Sequence, residues 1–305
     1  MKHLYDHAYN DRGGLDQGCS SKCRCRIRPM ETIEIKLQRL RSLLKDTDGA
    51  IIGYSGGCDS TLLAAIAKEE LGNRAVCVLA SFEAYPESET DEAVKTADAL
   101  GLLVIMINEN MLEDKDFAAN TADRCYFCKK KMFGRLSEIG RQNSIDFIAD
   151  GSNTDDLNDD RPGMRAASEL GVKSPLLEAG FTKNDIRKLS RMLKLPTWNK
   201  PSFACLASRI PYGIRIEQDL LKRIEAAEWL LKELGFHQVR VRHHGNIARI
   251  EVKKEEIQRL AEPRIRKKVA SGFQKLGYLY VTLDLHGYRT GSVNRAFFPS
   301  PPDGN

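Results

Sequence analysis

The sequence predicts an α/β protein in which a doubly wound parallel sheet is followed by a smaller α+β domain, and three observations carry that expectation. From Ala50 onward, short apolar runs alternate with amphipathic helical stretches, which is the pattern of repeated βαβ units. The first apolar run, Ala50 to Tyr54, passes into a helix through a glycine pair, Gly56-Gly57. After a proline-bearing stretch over 197–213 the pattern changes to one helix, two short strands and basic helical material.

Residues 1–29 show no apolar periodicity and hold six basic and three acidic side chains, so they read as a flexible leader whose removal leaves folding and activity unchanged. Its Cys19, Cys23 and Cys25 follow no recognised metal-ligand spacing. Order begins near Met30, where Ile33, Leu37, Leu40, Leu43 and Leu44 recur at helical spacing. Strands are expected over Ala50 to Tyr54, Ala75 to Phe82, Leu102 to Ile107 and Asp146 to Asp150. Helices are expected over Thr61 to Leu71, Glu87 to Leu100, Tyr126 to Gln142 and 182–194. The polar run Gly151 to Gly163 reads as a long loop at the carboxyl end of a strand, where open parallel sheets bind ligands. Beyond it come a helix, Glu217 to Leu234, strands Gln238 to His243 and Ile247 to Lys253, and a last strand, Tyr278 to Leu283. The predicted organisation is leader 1–29, first domain 30–200, second domain 201–298 and tail 299–305.

Composition narrows the function. With 42% hydrophobic and 29% charged residues in 305, the chain can bury a sizeable core, which excludes whole-chain disorder and coiled coil. The formal net charge is +5, of which the leader supplies +3, so the body is too nearly neutral for a dedicated nucleic-acid binder. No apolar run reaches the roughly 20 residues of a membrane span, and no signal-peptide core opens the chain, so a cytoplasmic location is expected. Eight cysteines in such a chain read as ligands, nucleophiles or buried thiols rather than a disulfide framework.

The string Ser55-Gly56-Gly57-Cys58-Asp59-Ser60 lies between strand and helix. Its glycines allow close backbone approach, and Ser60 with the helix amides can donate to phosphate oxygens. Neither Gly-Lys-Ser/Thr nor G-x-G-x-x-G accompanies it. A tight turn with a helix cap explains Gly56, Gly57 and Asp59 singly but not the whole string. The string resembles the pyrophosphate loop of the N-type ATP pyrophosphatases, which cleave ATP to AMP and pyrophosphate while adenylating a substrate; Cys58 stands where that superfamily more often has a small aliphatic residue. The resemblance implies an adenine nucleotide α-hydrolase-like fold with ATP held by Ser55, Gly56, Gly57, Asp59 and Ser60. It further implies Ser81 near the adenine, and Asp59 with Asp155 or Asp156 holding Mg2+. A solvated acidic loop is the competing reading of Asp155, Asp156, Asp159 and Asp160.

Cys125 and Cys128 stand three apart in a predicted first helical turn, which puts both sulfurs on one face as half of a soft-metal site. Cys205 lies in a loop between Pro201 and Pro211, where Lys200 and Arg209 favour its thiolate. Cys77, inside an apolar strand, reads as a buried small hydrophobe. A structural zinc on Cys125, Cys128, Cys205 and His243 or His244 stays open on spacing alone.

Three longer strings, C-L-A-S-R-I-P-Y-G, G-S-N-T-D-D-L-N-D-D-R-P-G-M-R-A and D-L-H-G-Y-R-T-G-S-V-N, resemble the LarE family of ATP-dependent sulfur transferases that help make the nickel-pincer nucleotide. The resemblance covers Met30 to Asn294. It implies adenylation of a carboxylate on a pyridinium mononucleotide, then conversion to a thiocarboxylate at Cys205. One form of the family sacrifices that cysteine's sulfur. A three-cysteine form, which this chain matches, holds a 4Fe-4S cluster on Cys125, Cys128 and Cys205, with one iron left open for sulfide. The resemblance also implies a cationic substrate site, for which Arg240 and Arg242 on one strand face, Arg289 and Ser292 are candidates, with Arg209 as a catalytic group, and a homo-oligomer, a hexamer in the family. A tRNA thiolase of the same superfamily and a nucleotide-binding protein with structural zinc are the alternative functions.

Overall fold

The computed structural model describes residues 32–158, 162–201 and 205–289. The leader with Cys19, Cys23 and Cys25, the residues Asp159 and Asp160, and the tail 299–305 lie outside them.

Thr32 caps α1 (Ile33–Lys45) by accepting from the Ile35 amide. The chain then runs through β1 (Ala50–Tyr54), α2 (Cys58–Leu71), β2 (Ala75–Ser81), α3 (Glu87–Ala99), β3 (Leu103–Asn108), the short α4 (Lys115–Ala118), α5 (Arg124–Gln142) and β4 (Ile148–Ala149). These strands form one parallel sheet in the order β3-β2-β1-β4. Because β1 is covered on both sides, it is apolar throughout rather than alternating. Ile52 faces a cluster with Leu40, Leu62, Ile66, Ile186 and Leu189, while Ile51 faces another with Val76, Phe133, Leu136 and Ala166. Cys77, 1% exposed in β2, is the buried small hydrophobe its setting predicts, and burial pushes its thiol up to about 12.

The strand order reverses at β1: the chain steps outward to β3 and returns to place β4 on the other side. The crevice at the carboxyl ends of β1 and β4 is therefore the switch point at which open α/β sheets bind ligands. Ser55 leaves β1 there, and Gly151 follows β4 there.

The stretch after β4 departs from expectation. Thr154–Asn158 forms a 3-10 turn, and α6 (Pro162–Glu169) begins where a loop was predicted. Proline at the first helical position starts that helix, and its buried Ala166 and Ala167 pack in the α5 cluster, a small-residue contact that gives little apolar periodicity. The short α7 (Pro175–Glu178) was also not anticipated, and β4 has two residues, extended by a parallel bridge from Ala149 to Lys173. α8 (Lys183–Met192) carries a capping box in which Thr182 and Asp185 satisfy one another's backbone.

The described residues of 197–213 are irregular as expected apart from a 3-10 turn, Leu206–Arg209. After it come α9 (Gln218–Glu233), β5 (Arg240–His244), β6 (Ile247–Glu251), the short α10 (Ile257–Ala261), α11 (Pro263–Lys275) and β7 (Tyr280–Leu283). β5 and β6 are antiparallel around Gly245, whose φ of +62° suits the tight turn, and β7 joins β6 in parallel. Phe236, Val241, Ile250, Phe273 and Tyr278 form the core between this sheet and its helices. A separate cluster ties the two sheets together, with Ala84, Met111 and Phe117 from the first half packed on Leu206, Ile210, Leu221 and Ile224.

Glu228 of α9 is buried at 6% exposure and accepts from Arg209 at 2.8 and 3.1 Å and from the Val241 amide at 3.0 Å. Replacing it by glutamine keeps its volume but removes the charge facing a buried guanidinium, so Glu228→Gln is expected to cost about 3 kcal/mol. Urea denaturation followed by circular dichroism measures this, and an unchanged midpoint would contradict the assignment of Glu228 as the structural counter-ion.

Candidate active site

Between β1 and α2 the chain needs glycine. Gly56 has a φ of +65°, and a Cβ there would stand 2.4 Å from the Ala93 Cβ. Gly57 caps α2 without a side-chain acceptor, so the first amides of the helix are left for a ligand. The Ser55 amide donates to Ser60 Oγ at 3.2 Å, and the two hydroxyls lie 3.1 Å apart. Gly151 comes so close that a Cβ on it would lie 3.1 Å from the Ser60 amide nitrogen. A side chain at Gly151 would therefore crowd the phosphate cradle, a constraint invisible in a polar run of sequence.

Asp59 and Asp155 are brought together through Lys183. The Lys183 ammonium pairs with Asp59 Oδ2, and its amide donates to Asp155 Oδ2 at 3.0 Å. Asp156 accepts from the Asn153 amide at 3.0 Å, and Asn153 in turn accepts from the Asp155 amide at 3.0 Å. The other oxygen of Asp59 is buried with no hydrogen-bond partner, which fits a carboxylate shaped to meet a cation. Lys183 was not anticipated, because a lysine opening a helix has no distinctive local pattern. Ser81 ends β2 half-buried, and its carbonyl accepts from the Glu109 amide at 3.0 Å.

The sulfur-bearing residues converge from distant segments. Cys125 is exposed in the first turn of α5, while Cys128 and Cys205 are half-buried against one apolar cluster. Burial, followed by the nearby Cys205, pushes the Cys128 thiol up to about 12. The Cys205 turn is fastened by the Leu206 amide donating to the Ala84 carbonyl at 2.8 Å. The next residue, Tyr85, donates its hydroxyl to the Ser55 carbonyl at 3.2 Å. Burial above all, with Glu89 and Cys205 nearby, raises that phenol.

Arg124, buried at 3% exposure, reaches both sulfur segments. It donates to the Ala207 carbonyl at 3.0 Å and to Asn120 Oδ1 at 2.6 Å, lies 3.9 Å from Cys125 Sγ, and stacks 5.3 Å from the Tyr212 ring centroid. Desolvation opposes its charge, but Cys205, Cys125 and Tyr212 more than offset that and raise its pKa.

Arg209 and Arg242 take bracing positions. Arg209 is 1% exposed, pairs with Glu228 and donates to the Cys205 carbonyl at 3.0 Å. Arg242 pairs with Glu251 at 3.0 and 2.9 Å and donates to the Ser208 carbonyl at 2.8 Å, which places β5 against the Cys205 turn. Arg240, on the same strand face, lies over Tyr288, and desolvation followed by the nearby Arg209 lowers its pKa. Arg289 is half-buried with its Nε unbonded, and Ser292 lies outside the described residues. Lys200 is held by Glu89 and Glu92 at 3.1 Å each.

Among the described residues, no three or more His, Cys, Asp or Glu close a metal site. His243 sits beside Tyr278 at 5.9 Å between ring centroids, and its electrostatic neighbours are Arg223 and His244 rather than the cysteines. No helix of the described residues is long and apolar enough to cross a membrane.

The family described as NAD synthase matches residues 33–124, the segment that holds the glycine loop. The chain is 41% identical over 263 residues to an uncharacterised protein of Synechocystis, covering 86% of this chain and 98% of that one. It is 39% identical over 272 residues to the pyridinium-3,5-bisthiocarboxylic acid mononucleotide synthase of Lactiplantibacillus plantarum, covering 87% of this chain and 96% of that one. An uncharacterised protein of Methanocaldococcus jannaschii is 30% identical over 258 residues, with 84% and 98% covered. The glycine loop at the switch point and this near full-length likeness identify an ATP-dependent enzyme of the N-type ATP pyrophosphatase superfamily. Within that superfamily, the chain belongs to the LarE family.

Proposed function

We propose that this chain is an ATP-dependent sulfur transferase that converts a carboxylate of a pyridinium mononucleotide to a thiocarboxylate, the chemistry named for its Lactiplantibacillus relative. The observation that carries this reading is the joint at Ala84 and Tyr85. One residue fastens the Cys205 turn and the next fastens the glycine loop, so the adenylating and sulfur-bearing segments share a support.

In this reading a substrate carboxylate oxygen attacks the α-phosphorus of ATP, the bond to the β-phosphate bridge breaks, and pyrophosphate leaves. The α2 amides, Ser55 and Ser60 hold phosphate oxygens, while Asp59 orients Mg2+. Lys183, paired with Asp59 here, would be free to pair with phosphate oxygens once Asp59 faced a bound Mg2+. A sulfur nucleophile at the Cys205 turn attacks the acyl carbon, and AMP leaves with the original carboxyl oxygen. Arg209 acts through the Cys205 carbonyl it holds. Arg240, Arg289 and Ser292 are assigned to the anionic substrate, and Arg242, held by Glu251 and the Ser208 carbonyl, fixes the strand that carries Arg240.

Cys125, Cys128 and Cys205 are three soft donors of the kind that hold a 4Fe-4S cluster, and such a cluster would supply sulfide for transfer. Division into a nucleotide domain over 30–200 and a sulfur-transfer domain over 201–298, a homo-oligomeric assembly and a cytoplasmic location complete the reading.

Asp59→Asn is expected to reduce pyrophosphate release by about a hundredfold or more while the circular dichroism spectrum is retained, since it removes the metal-orienting charge. Wild-type release from a folded variant would remove the nucleotide assignment. With sulfide supplied anaerobically, Cys205 is expected to keep its mass through repeated turnovers in intact-protein mass spectrometry. Stoichiometric dehydroalanine at Cys205 after a single turnover would replace the cluster reading with a sacrificial one.

A further inference from the structure

Three arginines are nearly fully buried around the Cys205 turn, and two of them have carboxylate partners: Arg209 has Glu228, and Arg242 has Glu251. Arg124 has none within salt-bridge distance among the described residues. Its acceptors are the neutral Asn120 Oδ1 and Ala207 carbonyl, its remaining neighbours are the Tyr212 ring and Cys125 Sγ, and its Nε has no hydrogen-bond partner. A guanidinium keeps its charge in any protein setting, and a buried charge without a counter-charge is costly. Its hydrogen bonds and the Tyr212 ring offset that cost only with neutral groups, whereas a negative sulfur group next to Cys125 and Cys205 would supply a counter-charge.

The same side chain is a mechanical link. Arg124 directly precedes Cys125, and the carbonyl it grips at Ala207 lies two residues beyond Cys205. Its other acceptor, Asn120, is completely buried and donates to the Pro211 and Ile214 carbonyls at 2.9 Å each. Asn120 also adopts a φ of +55°, and its own carbonyl accepts from the Gly213 amide at 3.0 Å. Thus the entry to α5 and the chain from Ala207 to Ile214 are bolted together through one guanidinium and one amide. Both bonds come from Nη1 while Nη2 stands beside Cys125 Sγ; a lysine could replace the charge but not the rigid planar fork that holds both nitrogens in these places.

We propose that Arg124 is the positioning residue of the sulfur site: it holds the Cys205 turn in register with Cys125 and Cys128 and provides the buried positive charge that selects an anionic sulfur group, hydrosulfide or a persulfide, between them. This rests on the sulfur-transfer reading above, since it takes the three thiols as one functional group.

Arsenite tests it on the reduced, metal-free full chain. One arsenous acid condenses with three thiols to give three As–S bonds and three waters, with no change of oxidation state. Alkylation by iodoacetamide followed by peptide mass mapping then shows which cysteines the arsenic protects. The wild-type protein is expected to protect Cys125, Cys128 and Cys205 together. Arg124→Gln is expected to bind arsenite about tenfold more weakly and to leave Cys205 alkylated while Cys125 and Cys128 stay protected. A merely structural arginine would lower the melting temperature without changing which thiols are bridged. Arg124→Lys, which keeps the cation, decides the matter if the glutamine variant loses its folded spectrum, and it too is expected to leave Cys205 unprotected. Three protected thiols at wild-type affinity in a folded variant would overturn the role of Arg124 and leave the sulfur-transfer reading standing. Failure of the wild-type protein to bridge Cys205 with the pair would overturn both.

Discussion

The buried pair Arg209–Glu228 is the contact on which the placement of the sulfur site depends. Glu228 receives both prongs of Arg209 and the amide of Val241, so one carboxylate fixes α9, the start of β5 and the Cys205 turn relative to each other. Arg209 passes the constraint on by donating to the Cys205 carbonyl. Arg242 repeats the arrangement one step along, with Glu251 behind it and the Ser208 carbonyl in front. Buried pairs of this kind contribute little net stability over an apolar alternative, but losing one partner is expensive. Their use here is to set the position of a turn that has only four residues of regular structure of its own.

On the nucleotide side the constraint is steric. Gly56 packs against Ala93 of α3 with no room for a Cβ, and Gly151 packs against the start of α2, so the loops after β1 and β4 lie together at one helix end. Negative charge enters through Asp59 and Asp155; the Lys183 ammonium pairs with Asp59, while its backbone amide donates to Asp155. Binding a nucleotide with its cation then exchanges one set of charge pairs for another instead of burying new charge, which keeps the desolvation penalty of loading the site low.

Local pattern carried the first sheet and the glycine loop but not the charged framework. β1 occupies Ala50–Tyr54 as expected because a strand buried on both faces shows itself as an unbroken apolar run. α2 starts at Cys58 rather than Thr61, since the polar Asp59 and Ser60 look like loop in sequence yet occupy the first turn, where polar side chains are favoured. The helix at Pro162 was missed because Ala166 and Ala167 bury small side chains. Cys125, Cys128 and Cys205 were legible as residue types at suggestive spacing. The roles of Lys183, Glu228 and Asn120 were not, because each depends on a partner from a distant segment, and local periodicity carries no information about such pairs. Arg209 and Arg242 were singled out for their charge, and burial gives that charge a bracing task that sequence could not distinguish from ligand contact.

These constraints bear on the order of events in the proposed reaction. An acyl adenylate is exposed to water from the moment pyrophosphate leaves, so a transferase gains if its sulfur nucleophile is in place before activation. Here the Cys205 turn hangs from Ala84 and the glycine loop touches Tyr85, so any shift of this segment moves both together. Arg209 and Arg242 hold the other side of the turn to the second sheet. A turn anchored on both sides does not need to swing into the adenylate; the substrate's acyl carbon is what must be presented to it. In the proposed reaction, specificity then lies with the groups that orient the mononucleotide, and our candidate for this is the half-buried Arg240, on the same strand face as Arg242 and with Arg209 of the Cys205 turn among its charged neighbours.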